Sequence, residues 1–135
     1  MVESLGYPRE MLCVEKQLSS IPHLLKKNTP NRRFDIICFA KGIHEEHEIY
    51  PLLMIECKAH LITKKAIEQV IGYNDYVSAF FIAIANQERV IIGWKGKDNK
   101  GYQFSEGLPC YDEIYTLARS KCNTKKRKSA QKIQS

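Results

Sequence analysis

No long apolar run occurs in this sequence, and no stretch approaches the ~20 consecutive apolar residues that cross a bilayer. No basic segment followed by an apolar one opens the chain, so the sequence predicts no secretory leader. The patterns GxGxxG, GxxxxGK[ST] and GxSxG are also missing, which argues against nucleotide-phosphate binding and serine-hydrolase chemistry. We therefore expect a cytoplasmic protein with no membrane partner and no nucleotide cofactor.

Paired cysteines are missing too. The five cysteines form no CxxC pair and no zinc spacing, and an odd number of them within apolar stretches is typical of reduced, packed thiols. His44 and His47 stand among three glutamates, which could be a metal cluster or the polar tip of a hairpin. We favour the hairpin tip, because polar clusters between periodic segments usually form loops.

Acidic residues are missing from one end of the chain. Residues 119–135 carry seven lysines and arginines and no acid. This segment therefore accounts for all of the excess positive charge in a protein whose net charge is +6. With 135 residues in total, we predict one domain over residues 1–118 and a basic, flexible tail over residues 119–135. Such a tail could contact a polyanion or could be a solubilising end, and both interpretations stay open.

The hydrophobic pattern predicts an α/β domain with a mixed sheet. Leu52 to Ile55 are apolar at every position, which indicates a strand buried on both faces. After that strand, apolar residues recur at three- and four-residue spacing, as in an amphipathic helix. The predicted elements are strands at 13–18, 34–40 and 49–58, a helix from Thr63 to about Ser78, strands at 80–85, 89–94 and 102–104, and a helix from Tyr111 to about Cys122, with a loop over 23–33 and a polar tip over 41–48. The first three strands can be antiparallel, and the helix then crosses over to the next strand.

Charged residues at the end of the apolar strand carry the chemistry. Glu56 and Lys58 share one face of a strand, and Asp35 on the neighbouring strand could face the same cleft. Two carboxylates that meet at one point can bind a hard divalent cation such as Mg²⁺ or Mn²⁺. Taken alone, Glu-x-Lys is more often a surface salt bridge at a strand end. The preceding strand with Asp35, the apolar approach to Glu56 and the helix after Lys58 favour the metal site instead.

This pattern resembles the Asp…Glu-x-Lys core of the PD-(D/E)xK nuclease superfamily, and in particular the nuclease domain at the N-terminus of type I restriction enzyme R subunits. Three further segments share the resemblance, and they are Gly6-Tyr7-Pro8, Arg32-Arg33-Phe34-Asp35-Ile36-Ile37 and Gln69-Val70-Ile71-Gly72-Tyr73. The resemblance covers roughly residues 5–118 and implies a restriction-endonuclease-like mixed β-sheet flanked by helices. Members of the family normally carry a longer helix ahead of Gly6 than the five residues that stand here.

The resemblance also implies the role of each site residue. Asp35 and Glu56 would bind Mg²⁺ or Mn²⁺, and Lys58 would be the catalytic lysine. Glu15 matches an acidic position that can add to the metal site, although it could also be an exposed strand glutamate. The residues implied to border the site or to contact nucleic acid are Arg32, Arg33, Gln69 and Tyr73, of which the last two could instead be a polar helical residue and a core aromatic.

The function that the resemblance implies is metal-dependent hydrolysis of phosphodiester bonds in DNA, of the restriction or repair type. DNA is then the expected partner, with a homodimer or a larger restriction or repair assembly as a further expectation. The alternative is a nuclease fold with little catalysis that binds nucleic acid or docks to a larger complex. The chain contains no helicase motor, so we expect no ATP-driven translocation by this chain alone.

Overall fold

Six strands and two long helices make up the part of the chain that is described. The computed structural model describes residues 5–25, 27–29, 31–96 and 101–134, with side chains as far as Cys122. In chain order the elements are β1 (Leu12–Gln17), β2 (Arg33–Lys41), β3 (Ile49–Cys57), α1 (Lys64–Val77), β4 (Phe81–Ala85), β5 (Val90–Lys95), β6 (Tyr102–Glu106) and α2 (Tyr111–Gln134), with short 3₁₀ turns at Arg9–Met11, Leu18–Ser20 and Pro22–Leu24.

The strands form one sheet in the order β1-β2-β3-β4-β5-β6. Every neighbouring pair is antiparallel except β3 and β4, which run parallel because α1 carries the chain back along the sheet. The predicted mixed sheet, with three antiparallel strands followed by a helical crossover, is confirmed. One short edge strand is longer than predicted, since β6 extends from Tyr102 to Glu106.

The two helices cover opposite faces of the sheet, and β3 contributes to both cores. Leu53 and Ile55 pack in a cluster with Ile114 of α2. Met54, which points the other way, packs in a second cluster with Val70 of α1. All three β3 side chains are buried, which confirms that the continuous apolar run marks a strand covered on both faces.

The helix α1 begins and ends where local chemistry predicts. The hydroxyl oxygen of Thr63 accepts a hydrogen bond of 3.1 Å from the backbone N–H of Ala66, which is an N-cap. At the other end Ser78 has a left-handed φ of 56°, and its N–H donates to the carbonyl of Asn74. The predicted limits of this helix are confirmed.

Asn74 is a buried polar residue of α1 that the sequence analysis did not single out. It is 4% exposed, and its side-chain amide donates to the carbonyl of Ala79 at 3.1 Å and to the hydroxyl of Tyr102 at 2.9 Å. Its Oδ1 accepts from the N–H of Ala79 at 2.8 Å. Asn74 therefore ties the end of α1 to the segment that enters β4 and to the edge strand β6.

The segment after β1 is more regular than the predicted loop. Leu18, Ile21 and Leu24 are buried at three-residue spacing, as the three residues per turn of 3₁₀ helices place them on one side. The prediction of a strand reaching Leu18 and of an irregular loop from His23 is therefore wrong at these positions. These three side chains pack beneath α1, in the same cluster as Val70.

The helix α2 begins at Tyr111 as predicted but continues beyond Cys122 to Gln134. Ile114, Ala118 and Cys122 bury its inner side. The residues predicted to form the basic tail therefore begin inside this helix, and the side chains beyond Cys122 lie outside the described residues. In the part of the chain that is described, neither helix combines the length and the hydrophobicity that a membrane-spanning helix needs.

Candidate active site

Two carboxylates oppose each other at the end of the β2–β3 pairing. The ladder pairs Ile36 with Ile55, and the next position along each strand places Asp35 opposite Glu56. Opposed residues of an antiparallel pair point to the same face of the sheet. That face carries α1, because Met54, two residues before Glu56, lies in the cluster beneath α1. The hairpin thus brings together the two acids expected to bind a metal.

Glu56 is buried, with only 3% of the residue exposed. Its pKa is raised to about 7, chiefly because burial removes the hydration of the charged form. The negative charge of Asp35 and a hydrogen bond with its carboxyl group raise the pKa as well, whereas the charges of Arg32 and Lys58 lower it. A buried carboxylate beside a second one is costly on its own, so the pair favours a cation between its oxygens.

Asp35 is held in place by the backbone of the neighbouring strand. Its Oδ2 accepts a hydrogen bond of 2.8 Å from the N–H of Cys57. This bond joins β2 to the last residue of β3, beyond the final pair of the ladder. The carboxyl group of Asp35 therefore has a fixed orientation next to Glu56, and the residue stays partly exposed, so that it can meet a ligand.

Lys58 follows directly after β3 and borders the carboxylate pair. Its N–H donates to the carbonyl of Ala85 at 2.7 Å, which continues the β3–β4 pairing past Cys57. Because side chains alternate along an extended strand, Lys58 points to the same side as Glu56. The effect of its charge on the pKa of Glu56 agrees with this placement.

Arg32 and Tyr73 close the site on the side of α1. The guanidinium group of Arg32 lies over the ring of Tyr73, with its central carbon 3.4 Å from the ring centroid. One of its nitrogens donates to the hydroxyl of Tyr73, and the other forms an ion pair of 3.3 Å with Oε2 of Glu56. Both residues were expected at the border of the site, but the ion pair that joins Arg32 to Glu56 was not predicted.

The other residues expected at the site stand further out. Gln69 is exposed on α1 one turn before Tyr73, and Arg33 is exposed at the start of β2. The β1–β2 register pairs the neighbours of Glu15 with the neighbours of Asp35, so Glu15 would lie opposite Asp35. However, Glu15 has a left-handed φ of 53°, and its side chain is exposed. The structure therefore brings Asp35, Glu56, Lys58, Arg32 and Tyr73 together and leaves the other three at the rim.

The residues of the carboxylate pair fit a small hard cation. Among the described residues no group of three or more His, Cys, Asp or Glu side chains could hold a metal ion. Mg²⁺ needs no such group, since it keeps several waters and is commonly bound through one or two carboxylates. The orientation of Asp35 and the burial of Glu56 supply those two ligands, so the donor set suits Mg²⁺ or Mn²⁺ and does not suit zinc.

The histidines of the β2–β3 connection pack on one another, at the opposite end of β3 from Glu56. The rings of His44 and Tyr50 are stacked with centroids 4.2 Å apart, and His23 lies 4.9 Å from the same tyrosine. His47 completes the cluster, at 4.9 Å from His44. Residues 42–48 connect β2 to β3, which pair as far as Lys41 and Ile49, so the predicted hairpin tip is confirmed.

The fold and the site together define a class of protein. A mixed sheet with helices on both faces is consistent with a restriction-endonuclease-like fold, and an acidic pair with a neighbouring lysine lies at the end of its central hairpin. The family described as type I restriction enzyme R protein N terminus (HSDR_N) matches residues 1–109. The chain belongs to this family, which indicates a nuclease-related role. Comparison with curated proteins and with solved structures gives no match.

Proposed function

We propose that this protein is a divalent-metal-dependent nuclease that hydrolyses phosphodiester bonds in DNA. The observation that carries the proposal is the buried Glu56, which meets Asp35 and is flanked by Lys58. A protein rarely keeps a carboxylate in such a place for stability, because burial beside a like charge is costly. Membership of the restriction enzyme family supports a nuclease-type activity independently of this geometry.

Mg²⁺ or Mn²⁺ is the proposed cofactor, held by Asp35 and Glu56. When bound, the ion would supply Lewis acidity to the phosphate and activate a water for in-line attack. The hydrogen bond from the N–H of Cys57 keeps the Asp35 carboxylate oriented toward its neighbour. Preorganised ligands of this kind reduce the reorganisation that the reaction would otherwise require.

Lys58 has a separate role in this proposal. Its ammonium group stands on the side of the sheet that carries Glu56, where it can stabilise negative charge that develops on the phosphate oxygens. It can also donate a hydrogen bond to the attacking water or to the leaving oxygen. Lysine is suited to both tasks, since its three donors rotate freely on a flexible stem.

DNA binding would be largely independent of sequence. The basic residues from Arg119 onward carry positive charge that attracts phosphates, and the affinity they supply falls as the salt concentration rises. Cutting both strands would involve a second copy of the chain or a larger restriction or repair assembly. We propose a cytoplasmic location for this activity.

A cleavage assay tests the proposal. The full chain is incubated with plasmid, linear duplex and single-stranded DNA, with Mg²⁺, with Mn²⁺ or with EDTA. We expect cutting that requires the cation and that Lys58→Ala and Glu56→Ala each reduce by about a hundredfold or more, as expected for groups that stabilise the transition state. Lys64→Ala and Glu68→Ala, at exposed positions of α1, are matched charge controls and should cut like the unmodified protein.

The alternative function is a nuclease fold that binds nucleic acid with little catalysis. The ion pair between Arg32 and Glu56 favours it, because a carboxylate that already has a cationic partner has less need of a metal ion. Duplex binding without cutting, by a folded protein in either cation, would support this alternative. Cutting that survives both Lys58→Ala and Glu56→Ala would contradict the proposed assignment of the site.

A further inference from the structure

Arg32 has an unusual set of contacts within the site. Its guanidinium group simultaneously stacks on Tyr73, donates to the hydroxyl of Tyr73 and pairs with Oε2 of Glu56. Arg32 lies just before β2, Tyr73 lies in α1 and Glu56 lies in β3, so these contacts form only when the three segments have packed together. The side chain of Arg32 is 33% exposed, whereas that of Glu56 is 5% exposed. The guanidinium group therefore lies between solvent and the buried carboxylate.

The position of Arg32 conflicts with a metal ion on the same carboxylate. A dication on Asp35 and Glu56 would lie within a few ångströms of a guanidinium group paired with Oε2, and two positive charges repel strongly where water is largely excluded. A bound dication would therefore compete with Arg32 for the negative charge of Glu56, and the ion pair between Arg32 and Oε2 would weaken or break.

Tyr73 would keep Arg32 near the site after the ion pair with Glu56 broke. The ring face and the hydroxyl of Tyr73 hold the guanidinium group independently of Glu56, so breaking the ion pair releases only part of the contact. The released nitrogens would stay at the rim of the site, beside the metal ligands. A planar guanidinium group with free N–H donors matches the geometry of a phosphate.

We infer that Arg32 is a positioning residue that exchanges partners, holding Glu56 before the cation binds and a phosphate of the DNA backbone afterwards, with Tyr73 as its fixed support. This inference rests on the proposed metal-dependent nuclease function and adds to it the order of events. Arg32 opposes metal binding and favours DNA binding. Those two effects have opposite signs, and a purely structural role would not produce both.

The first test measures Mn²⁺ binding without DNA, by calorimetry or by the electron paramagnetic resonance signal of the free ion. We expect Arg32→Gln to tighten Mn²⁺ binding by about tenfold, because the competing cation is removed. Arg9→Gln, which removes the same charge from an exposed position ahead of β1, is the matched control and should change the affinity by less than about twofold. Unchanged or weaker Mn²⁺ binding by folded Arg32→Gln would overturn the inference.

The second test measures duplex binding by fluorescence anisotropy, in a Lys58→Ala background that prevents cutting. Mn²⁺ should strengthen binding of the duplex when Arg32 is present. In the double variant with Arg32→Gln, duplex binding in Mn²⁺ should weaken by about tenfold, although Mn²⁺ itself is bound more tightly. Duplex binding as strong as that of the matched Arg9→Gln double variant would contradict the proposed phosphate contact.

Two results separate this inference from the function on which it rests. If the unmodified protein neither binds Mn²⁺ nor cuts DNA, the proposed function fails, and the inference with it. If the unmodified protein binds Mn²⁺ and cuts, but the Arg32 variants behave like those of Arg9, only the inference fails. Should Arg32→Gln not fold, Arg32→Lys replaces it. Lysine keeps the charge but cannot stack on Tyr73 and reach Glu56 with one planar group, so Mn²⁺ binding should tighten less but in the same direction.

Discussion

The backbone N–H of Cys57 donates a hydrogen bond of 2.8 Å to Oδ2 of Asp35. A side chain of β2 is thereby bonded to the main chain of β3, next to the buried Glu56. Asp35 thus has a structural partner as well as a proposed metal, and the two roles respond differently to substitution.

Asp35→Asn and Asp35→Ala separate those two roles. Asparagine keeps an acceptor oxygen for the N–H of Cys57 and removes the charge beside Glu56, so its thermal midpoint should equal or exceed that of the unmodified protein. Alanine leaves that N–H without its partner and should cost about 1 kcal/mol or more. Both variants should lose Mn²⁺ binding. A destabilised asparagine variant would show that the charge of Asp35 contributes favourably to the fold.

Glu56→Gln should stabilise the protein when no metal is bound. At pH 8, above its raised pKa of about 7, Glu56 is ionised although it is buried beside Asp35. Its ordinary pKa is 4.5, so the folded state binds the proton more tightly than the unfolded chain, and stability falls as the pH rises from about 4.5 to about 7. Glutamine cannot ionise, so Glu56→Gln should raise the free energy of unfolding at pH 8 by up to about 3 kcal/mol.

Urea unfolding of Glu56→Gln in EDTA at pH 5 and pH 8 provides this measurement. The gain over the unmodified protein should be larger at pH 8 than at pH 5. Glu68→Gln, at an exposed position of α1, is the control and should show no such difference. Equal effects of Glu56→Gln at both pH values would mean that Glu56 carries no charge penalty in the folded state.

His23 should make the protein sensitive to mild acid. Burial lowers the pKa of His23 first of all, a hydrogen bond to the carbonyl of Val77 acts in the opposite direction, and the positive charges of His47, Lys27 and His44 lower it further. Because the folded-state pKa lies below the ordinary value of 6.5, the unfolded chain takes up the proton first. Stability is therefore complete above about pH 6.5 and falls as the pH decreases below it.

The thermal midpoint at several pH values between 5 and 7.5 tests this expectation. His23→Gln cannot take up a proton, so its midpoint should fall less on acidification than that of the unmodified protein. His60→Gln, at an exposed position, should keep the original pH profile. An identical fall in the His23 and His60 variants would exclude His23 as the group responsible.

Two glycines should respond to alanine with opposite signs. A Cβ atom on Gly93 of β5 would lie 2.5 Å from Cε1 of Phe104, whose ring covers the glycine. The ring is 40% exposed and can move, so Gly93→Ala should cost about 1–2 kcal/mol. Gly72 lies inside α1 with nothing within 4 Å of its added Cβ, so Gly72→Ala should gain about 0.5–1 kcal/mol. Urea unfolding measures both, and a loss at Gly72 would mean that the helix needs the glycine for another reason.

Local patterns in the sequence were sufficient for much of the fold. The apolar run ending at Ile55 predicted a strand buried on both faces, and the spacing after Thr63 predicted the limits of α1. Strand alternation predicted that Glu56 and Lys58 share a face. Each of these features depends on the backbone geometry of neighbouring residues, which is why a short window of sequence contains the signal.

Patterns of that kind fail where a residue's partner is distant in the chain. The burial of Asn74 went unnoticed because an amide at an apolar position of the stripe has no local signal, and its partners lie in the segment before β4 and in β6. The 3₁₀ turns around Ile21 were missed for a related reason. Their apolar spacing becomes meaningful only when α1 is present to cover them.

The sequence by itself determined which residue types form the site, the order of strands and helices along the chain, and the basic character of its C-terminal end. Only the tertiary structure decided that Asp35 opposes Glu56, that Glu56 is buried, and that Arg32 reaches Glu56 from across the ring of Tyr73. The physical reason is that these relationships depend on strand register and on how α1 packs on the sheet. Both arise from contacts between segments that are far apart along the chain, which short-range periodicity does not encode.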